Sequence, residues 1–196
     1  MQQLILASSS PFRAELLAKL GLPFDAMSPD INEQVLPNEN ATQLVQRLSE
    51  QKAQAIAKHY SDALIIGSDQ VAVLDGDILG KPRTHDNAVK QLQSASGKTV
   101  LFLTGLALFN SKTNEMQSLV EPFEVCFKQL TDKQIEFYLQ QEQPYQCAGS
   151  FKSEGLGISL FSKLKGDDPN SLIGLPLIRL IEQLHHQGID VLQPNN

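Results

Sequence analysis

The sequence predicts an α/β protein with a mixed β-sheet flanked by helices. Short apolar runs typical of buried strands alternate with amphipathic helical segments along the whole chain. Both hairpin-type and crossover-type connections occur, so one sheet should contain parallel and antiparallel neighbours. The 196 residues, of which 41 % are hydrophobic, suffice for one large domain or for two fused lobes.

The first half of the chain supplies the strands and helices that carry most of the polar motifs. Residues 4–7 are too short an apolar run for a helix and predict a buried strand. Ser10 is a good N-cap, Pro11 suits the first helical position, and Gly21 ends that helix. The remaining predictions are a short strand in "PFDAMSP" (23–29), an irregular stretch (29–39), an amphipathic helix (42–59), and a strand, hairpin and return strand in "LIIGSDQVAVLDGDILGKP" (64–82).

The second half continues the alternation of helices and strands. A capped helix in "HDNAVKQLQSASG" (85–97) should end at its glycine, and Thr131 should cap a helix in "TDKQIEFYLQQ" (131–141). Strands are predicted in "TVLFLTGLALFN" (99–110), "SLVEPFEVCFKQL" (118–130) and "LGISLFSKL" (156–164). The leucine-rich stretch "NSLIGLPLIRLIEQLHHQG" (170–188) predicts one final helical segment.

Charge and composition exclude several classes of partner. The net charge of −6 and the lack of a dense Lys/Arg run argue against nucleic-acid binding. No apolar run approaches membrane-spanning length and no leader pattern is visible, so we expect no membrane association and a cytoplasmic location. Cys126 and Cys147 lie in no ligand-like spacing and are expected to be reduced, buried thiols.

The turn between the first strand and the first helix has the pattern of an anion site. Free backbone N–H groups and the positive end of the helix dipole meet at such a turn, and Ser8 and Ser10 add hydroxyl groups. Arg13 lies in the first helical turn, where a cation is unfavourable for the helix itself. These residues therefore indicate phosphate binding. The alternative is an ordinary capped helix with a solvated arginine.

A second group of candidates centres on Asp69, which follows the apolar run "LIIGS". A carboxylate directly after a run that should be buried in a sheet needs a partner, a metal ion or a raised pKa. Lys81, beyond the hairpin, could return to the same end of the sheet, and Glu33 and Lys52 are further candidates. A structural ion pair for Asp69 and solvated surface positions for the other three are the alternatives.

Taken together, the motifs resemble those of the Maf family of nucleoside triphosphate pyrophosphatases. The matching motifs occur in the family's order, and they are "LASSSPFR", the pair Asn32-Glu33, "RLSEQKA", "GSDQV", "GKP" and "AGSFKSEG". The resemblance implies a single domain of two lobes with a central cleft over residues 1–190, as in the inosine triphosphatase-like fold, followed by a C-terminal tail over residues 191–196. It also implies a possible homodimer. It also implies hydrolysis of a nucleoside triphosphate between its α- and β-phosphates, with a divalent cation such as Mg²⁺ or Mn²⁺.

The resemblance further assigns roles to individual positions of this chain. Asp69 matches the catalytic acid/base position. Glu33 and Asp69 match the metal-binding positions, and the phosphate-binding positions are matched by Ser8, Ser10, Arg13, Lys52 and Lys81.

Three departures from the commonest Maf pattern concern substrate specificity. Phe12 stands where the common form has arginine, Gln70 where it often has threonine, and Glu154 where it often has glutamine. The common form accompanies activity on dTTP and UTP. The combination found here resembles instead the branch that acts on 7-methyl-GTP.

Physical chemistry favours the same substrate. Methylation at N7 makes guanine cationic, and a cation is attracted to the face of Phe12, whereas arginine would repel it. Glu154 could accept hydrogen bonds from the N1–H and N2–H edge of the guanine ring. The alternatives are that Phe12 covers the first helix and Glu154 is a loop carboxylate. The protein could then hydrolyse dTTP or UTP, bind nucleotides as a cell-division regulator without turnover, or bind another phosphate compound.

Overall fold

The computed structural model describes residues 2–193, and within this range seven strands form one mixed sheet. The strands are β1 (Gln3–Ala7), β2 (Asp25–Met27), β3 (Ala63–Leu74), β4 (Asp77–Leu79), β5 (Thr99–Asn110), β6 (Glu115–Phe127) and β7 (Phe161–Lys165). Their order is β2-β1-β3-β5-β6-β7, with β4 paired to β3. β1 is parallel to β2 and β3, whereas β4 and β7 are antiparallel to β3 and β6. The predicted fold class is confirmed. Residues 194–196 of the predicted tail lie outside the described residues.

Six α-helices accompany the sheet in the described part of the chain. They are α1 (Pro11–Ala18), α2 (Ala41–Ala57), α3 (His85–Ala95), α4 (Asp132–Glu142), α5 (Pro169–Ile173) and α6 (Leu177–His186). The predicted N-caps Ser10 and Thr131 both accept a hydrogen bond from their helix. None of the described helices is both long and apolar enough to cross a bilayer. The two cysteines are free, as predicted, but each is half-buried.

Two predicted elements of the second half were wrong. Residues 156–160 form a 3₁₀-helix instead of the first half of a strand. There the Leu156 N–H donates to the Glu142 carboxylate at 2.7 Å, and Gly157 lies so close to the Lys152 carbonyl that no Cβ would fit. The stretch 170–188 is two helices, α5 and α6. It breaks because Gly174 has a positive φ of 128° and Pro176 lacks an N–H.

The chain divides into two compact units of discontinuous sequence. Unit 1 comprises residues 1–69, 104–121 and 174–196, and unit 2 comprises residues 70–103 and 122–173. The chain passes from unit 1 to unit 2 within β3, between Asp69 and Gln70. The expected single domain of two lobes and the predicted cleft stay predictions.

Each unit has its own apolar core. In unit 1, side chains of β1, β3 and β5 pack with those of α2. In unit 2, aromatic rings dominate, and Phe127, Phe151 and Phe161 meet edge to face with ring centroids 4.7–5.7 Å apart.

Helix α2 packs directly on glycines of the sheet in unit 1. A Cβ added to Gly67 would lie 2.0 Å from the Ser49 carbonyl oxygen, and one added to Gly105 would lie 2.2 Å from the Val45 carbonyl oxygen. Only glycine permits this approach of helix and strand backbones. The close packing brings Lys52 of α2 to Asp69, two residues beyond Gly67.

We expect Gly67→Ala to lower the free energy of unfolding by about 1–3 kcal/mol, because the new methyl group forces α2 away from β3. Urea denaturation followed by circular dichroism measures this change. Gly80→Ala is the matched control: no heavy atom lies within 4 Å of its added Cβ. Equal unfolding midpoints for the two variants would contradict the close-packing argument.

The irregular stretch that carries Glu33 is anchored to α2 by an ion pair. Arg47 contacts both carboxylate oxygens of Glu39, at 2.6 and 2.7 Å, in a two-pronged arrangement. Arg47 also donates to the Gln34 carbonyl oxygen at 3.0 Å, and Glu39 accepts from the Leu36 N–H at 3.0 Å. The hydrogen bond from Arg47 is the main cause that lowers the pKa of Glu39 to about 2.

The stabilising effect of Glu39 should depend on pH in a defined direction. Its pKa in the folded protein, about 2, lies below the ordinary value of 4.5, so the ionised form stabilises the fold above about pH 4.5. As the pH falls towards 2, this contribution disappears. We therefore expect Glu39→Gln to be less stable than the wild type at pH 7 and equally stable near pH 2.

Chemical denaturation at a series of pH values tests this expectation. Glu15→Gln, at an exposed position of α1, serves as the control and should change stability by less than about 0.5 kcal/mol throughout. A difference between wild type and Glu39→Gln that stays constant from pH 7 to pH 2 would show that the carboxylate charge is not what anchors this stretch.

Candidate active site

The buried ammonium group of Lys52 contacts two carboxylates of unit 1. Lys52 Nζ lies 2.6 Å from Asp69 Oδ1 and 2.7 Å from Glu33 Oε1. The side chains of Lys52 and Asp69 are only 8 % and 13 % exposed, whereas that of Glu33 is 60 % exposed. Three of the residues singled out in the sequence therefore meet in one cluster. Because Glu33 is largely exposed, the cluster is open to solvent on that side.

Arg13 is fixed beside this cluster by contacts to one backbone carbonyl and one serine hydroxyl. Its Nε donates to the Gly174 carbonyl oxygen at 2.8 Å, and its Nη1 lies 3.4 Å from Ser8 Oγ. Burial lowers the pKa of the Arg13 guanidinium, and the negative charges of Asp69 and Glu33 act in the opposite direction. The arginine thus adds a second positive charge near the two carboxylates, as an anion site requires.

The serine-rich turn is partly satisfied by its own hydrogen bonds. Ser8 Oγ accepts from the Ser10 N–H at 3.1 Å, and Ser10 Oγ accepts from the Arg13 N–H at 3.4 Å. Each hydroxyl that accepts these bonds still has its own hydrogen to donate. The N–H of Phe12, at the second position of α1, has no acceptor within the helix. The turn retains donors of the kind that a phosphate oxygen accepts.

Phe12 occupies the first turn of α1 and is half-buried. It belongs to unit 1, together with the serines, Arg13 and the Lys52 cluster. Its role towards a nucleobase stays a prediction.

Gln70, the first residue of unit 2, is engaged by the backbone of α5. Its Nε2 donates to the carbonyl oxygens of Ser171 and Leu172, at 2.7 and 3.1 Å. The amide therefore links β3 to α5. A direct contact of Gln70 with substrate stays a prediction.

Lys81 and Glu154 also belong to unit 2, and both are exposed. Burial raises the pKa of the Cys147 thiol, and Glu154 raises it further while Lys81 lowers it. The roles of Lys81 and Glu154 towards a substrate stay predictions. Glu154 accepts a hydrogen bond from the Ser153 hydroxyl at 3.3 Å.

The carboxylates of Glu33 and Asp69 suit a divalent ion that is bound mainly by a nucleotide. Mg²⁺ in nucleotide-hydrolysing sites takes one or two protein carboxylates, with phosphate and water oxygens as its other ligands. Among the described residues, no group of three or more His, Cys, Asp or Glu side chains is placed to hold a metal ion. The two carboxylates fit an ion that takes only part of its ligands from the protein, and the ion itself stays a prediction.

Sequence reasoning missed two groups that organise the site. Ser68 is fully buried, and its hydroxyl oxygen lies 2.8 Å from the Gly105 carbonyl oxygen and 2.9 Å from the Gly174 carbonyl oxygen, so that these two acceptors share its single hydrogen. The Gly174 carbonyl therefore accepts from both Ser68 and Arg13. Gly174 and Pro176, which are separated by one residue, are both helix breakers, and they could have revealed the turn between α5 and α6.

Comparison with solved structures supports the fold. The Staphylococcus aureus Ham1 protein aligns over 95 % of this chain and 100 % of its own, with a TM-score of 0.54 and 11 % identity. At this identity the likeness concerns the fold alone.

Comparison with protein sequences identifies the family. Residues 3–187 match the family model described as Maf-like protein. A 7-methyl-GTP pyrophosphatase of Nitrosococcus oceani is 61 % identical over 189 residues, which cover 96 % of this chain and 95 % of the relative. A 7-methyl-GTP pyrophosphatase of Pseudomonas aeruginosa is 55 % identical over 97 % of this chain and 100 % of the relative. Since both kinds of comparison extend over nearly the whole chain, the protein belongs to the Maf family.

Proposed function

We propose that this chain hydrolyses 7-methyl-GTP to 7-methyl-GMP and diphosphate. The observation that carries the proposal is the buried Lys52 ammonium between Asp69 and Glu33, with Arg13 beside it. Such a cluster presents both carboxylates and fixed positive charge to a triphosphate. Relatives at 55–61 % identity that are named 7-methyl-GTP pyrophosphatases support the choice of base.

In the proposed reaction, Asp69 accepts a proton from the attacking water. The water oxygen forms a bond to the α-phosphorus, and the bond from that phosphorus to the oxygen bridging to the β-phosphate breaks. Diphosphate leaves with the bridging oxygen, and the proton stays on the Asp69 carboxylate. The 2.6 Å contact with Lys52 fixes the orientation of this carboxylate.

Positive charge on the protein offsets the charge of the triphosphate. Arg13 and Lys52 of unit 1, the donors of the Ser8–Ser10 turn, and Lys81 of unit 2 are the groups to which we assign this role. A divalent cation held by Glu33 and Asp69 would supply further positive charge to the phosphate oxygens.

Base recognition is assigned to Phe12 and Glu154. The face of Phe12 would attract the positively charged 7-methylguanine ring, and Glu154 would accept hydrogen bonds from its N1–H and N2–H groups. Gln70 is a third specificity position. Because its amide donates to carbonyl groups of α5, it would act by fixing the part of β3 that directly follows Asp69.

Asp69→Asn should reduce diphosphate release by about 10²–10⁴-fold, because an amide cannot accept the proton of the attacking water. Diphosphate detection with 7-methyl-GTP measures this loss. Asp75→Asn, at the exposed hairpin turn of the same strand, is the control and should retain activity. A folded Asp69→Asn protein with wild-type turnover would remove Asp69 from the mechanism.

The double change Phe12→Arg with Glu154→Gln should weaken the preference for 7-methyl-GTP over UTP. It removes a cation–π contact and a charge-assisted hydrogen bond, together worth about 2–5 kcal/mol. Phe137→Arg with Glu182→Gln makes the same change of net charge at two exposed positions and is the control. An unchanged substrate preference in the first double variant would contradict this assignment.

A panel of 7-methyl-GTP, GTP, UTP and dTTP tests the proposal as a whole. We expect the highest kcat/KM for 7-methyl-GTP. Highest activity on UTP or dTTP would replace the proposed substrate with the pyrimidine nucleotides. Nucleotide binding without diphosphate release from any of the four would favour the regulatory alternative.

A further inference from the structure

The side chain of Gln91 connects two loops of unit 2. Gln91 lies on α3 and is half-buried. Its Nε2 donates to the Gly80 carbonyl oxygen at 3.0 Å, and its Oε1 accepts a hydrogen bond from the Ser150 hydroxyl at 2.5 Å. Both ends of one carboxamide are therefore used, and each end binds a different loop.

Each of the two loops carries one residue that the proposed function assigns to the nucleotide. One of these residues would contact the phosphates, and the other would contact the base. Residues 80–84, here the Lys81 loop, place the phosphate-neutralising lysine directly after Gly80. Residues 145–157, here the Glu154 segment, place the base-recognising glutamate four positions after Ser150. The Gln91 side chain thus contacts both of these loops.

The bond to Ser150 supports an unfavourable backbone conformation. Ser150 has a φ of 63° and follows Gly149, which has a φ of 73°. A left-handed conformation is costly for a residue with a Cβ, and Ser150 is fully buried as well. Such strain persists only where the surroundings hold it in place. The hydrogen bond to Gln91 is one of the interactions that hold it.

Other contacts at the start of α3 hold the same two loops. Asn87 Nδ2 donates to the Pro82 carbonyl oxygen at 3.1 Å, within the Lys81 loop. The Arg83 N–H donates to the Tyr145 carbonyl oxygen at 3.0 Å and joins the Lys81 loop to the Glu154 segment. Gln91 adds one hydrogen bond to each loop, and both bonds involve the same carboxamide. A shift of one loop that moves this carboxamide therefore also strains its hydrogen bond to the other loop.

We infer that Gln91 is a positioning residue that sets the Lys81 loop and the Glu154 segment relative to each other. It couples neutralisation of the phosphates to recognition of the base, without contacting the substrate itself. This inference rests on the proposed function, because the roles of Lys81 and Glu154 come from there.

Gln91→Met tests the inference, because methionine has nearly the same shape and makes neither hydrogen bond. We expect kcat/KM for 7-methyl-GTP to fall about ten- to a hundredfold, with a raised KM and a weaker preference over UTP. Gln91→Glu still accepts from Ser150 but cannot donate to Gly80. It should raise KM while keeping the preference for 7-methyl-GTP.

Gln93→Met is the matched control on the same helix. Gln93 Nε2 donates to Asp132 at 2.9 Å, outside both loops. Its loss should leave both kinetic constants within about twofold of the wild type.

Hydrogen exchange on the nucleotide-free protein provides a readout that does not depend on activity. Residues 80–84 and 145–157 should exchange faster in Gln91→Met than in Gln93→Met. Unchanged exchange in these two segments would overturn the inference. So would faster exchange with kinetic constants and substrate preference equal to those of the control. A wild-type protein inactive on 7-methyl-GTP would refute the proposed function, and exchange alone would then decide whether Gln91 couples the loops.

Discussion

The buried ammonium of Lys52 is the interaction on which the arrangement of unit 1 depends. A charge removed from water is costly unless counter-charges lie in direct contact with it, and here Asp69 and Glu33 supply them. This requirement determines how three parts of the chain must be placed. Helix α2 must pack on glycine, β3 must carry a carboxylate at Asp69, and the irregular stretch 29–39 must be anchored. The apolar core alone imposes none of these conditions.

Under the proposed function, this arrangement would let an acidic protein bind a polyanion. The overall charge of −6 repels a triphosphate, but Arg13 and Lys52 are held by fixed contacts within unit 1. Neither side chain needs to be ordered again when a nucleotide binds. Unit 2 contributes differently, with loops held on an aromatic core.

Much of the fold could be predicted from the sequence, because local signals and tertiary packing agree. Ser10 and Thr131 cap helices as expected, and the turn at Asp75-Gly76 forms where the sequence places it. The prediction of one final helical segment was wrong because the leucines keep a helical period across Gly174. The break at Gly174 is stabilised by residues far away in sequence, since Arg13 and Ser68 form hydrogen bonds to its carbonyl oxygen. The 3₁₀-helix at 156–160 was missed for a similar reason, since its contacts come from residues far along the chain.

The candidate site shows the same division. Asp69 could be selected because a carboxylate after a buried strand violates the ordinary pattern of burial. Lys52 resembles a surface lysine in sequence, and only the fold shows it to be buried. Gln91 gave no signal at all, because a glutamine on a helix is ordinary and both of its partners lie outside that helix.

The discontinuity of the two units has a consequence for biosynthesis. Unit 1 includes α6, so its last contacts cannot form until translation has passed Gly174. The Arg13 guanidinium therefore lacks its backbone acceptor until Gly174, which lies 161 residues further along the chain, has been synthesised. A nascent chain arrested before that point lacks the contact that fixes the Arg13 side chain.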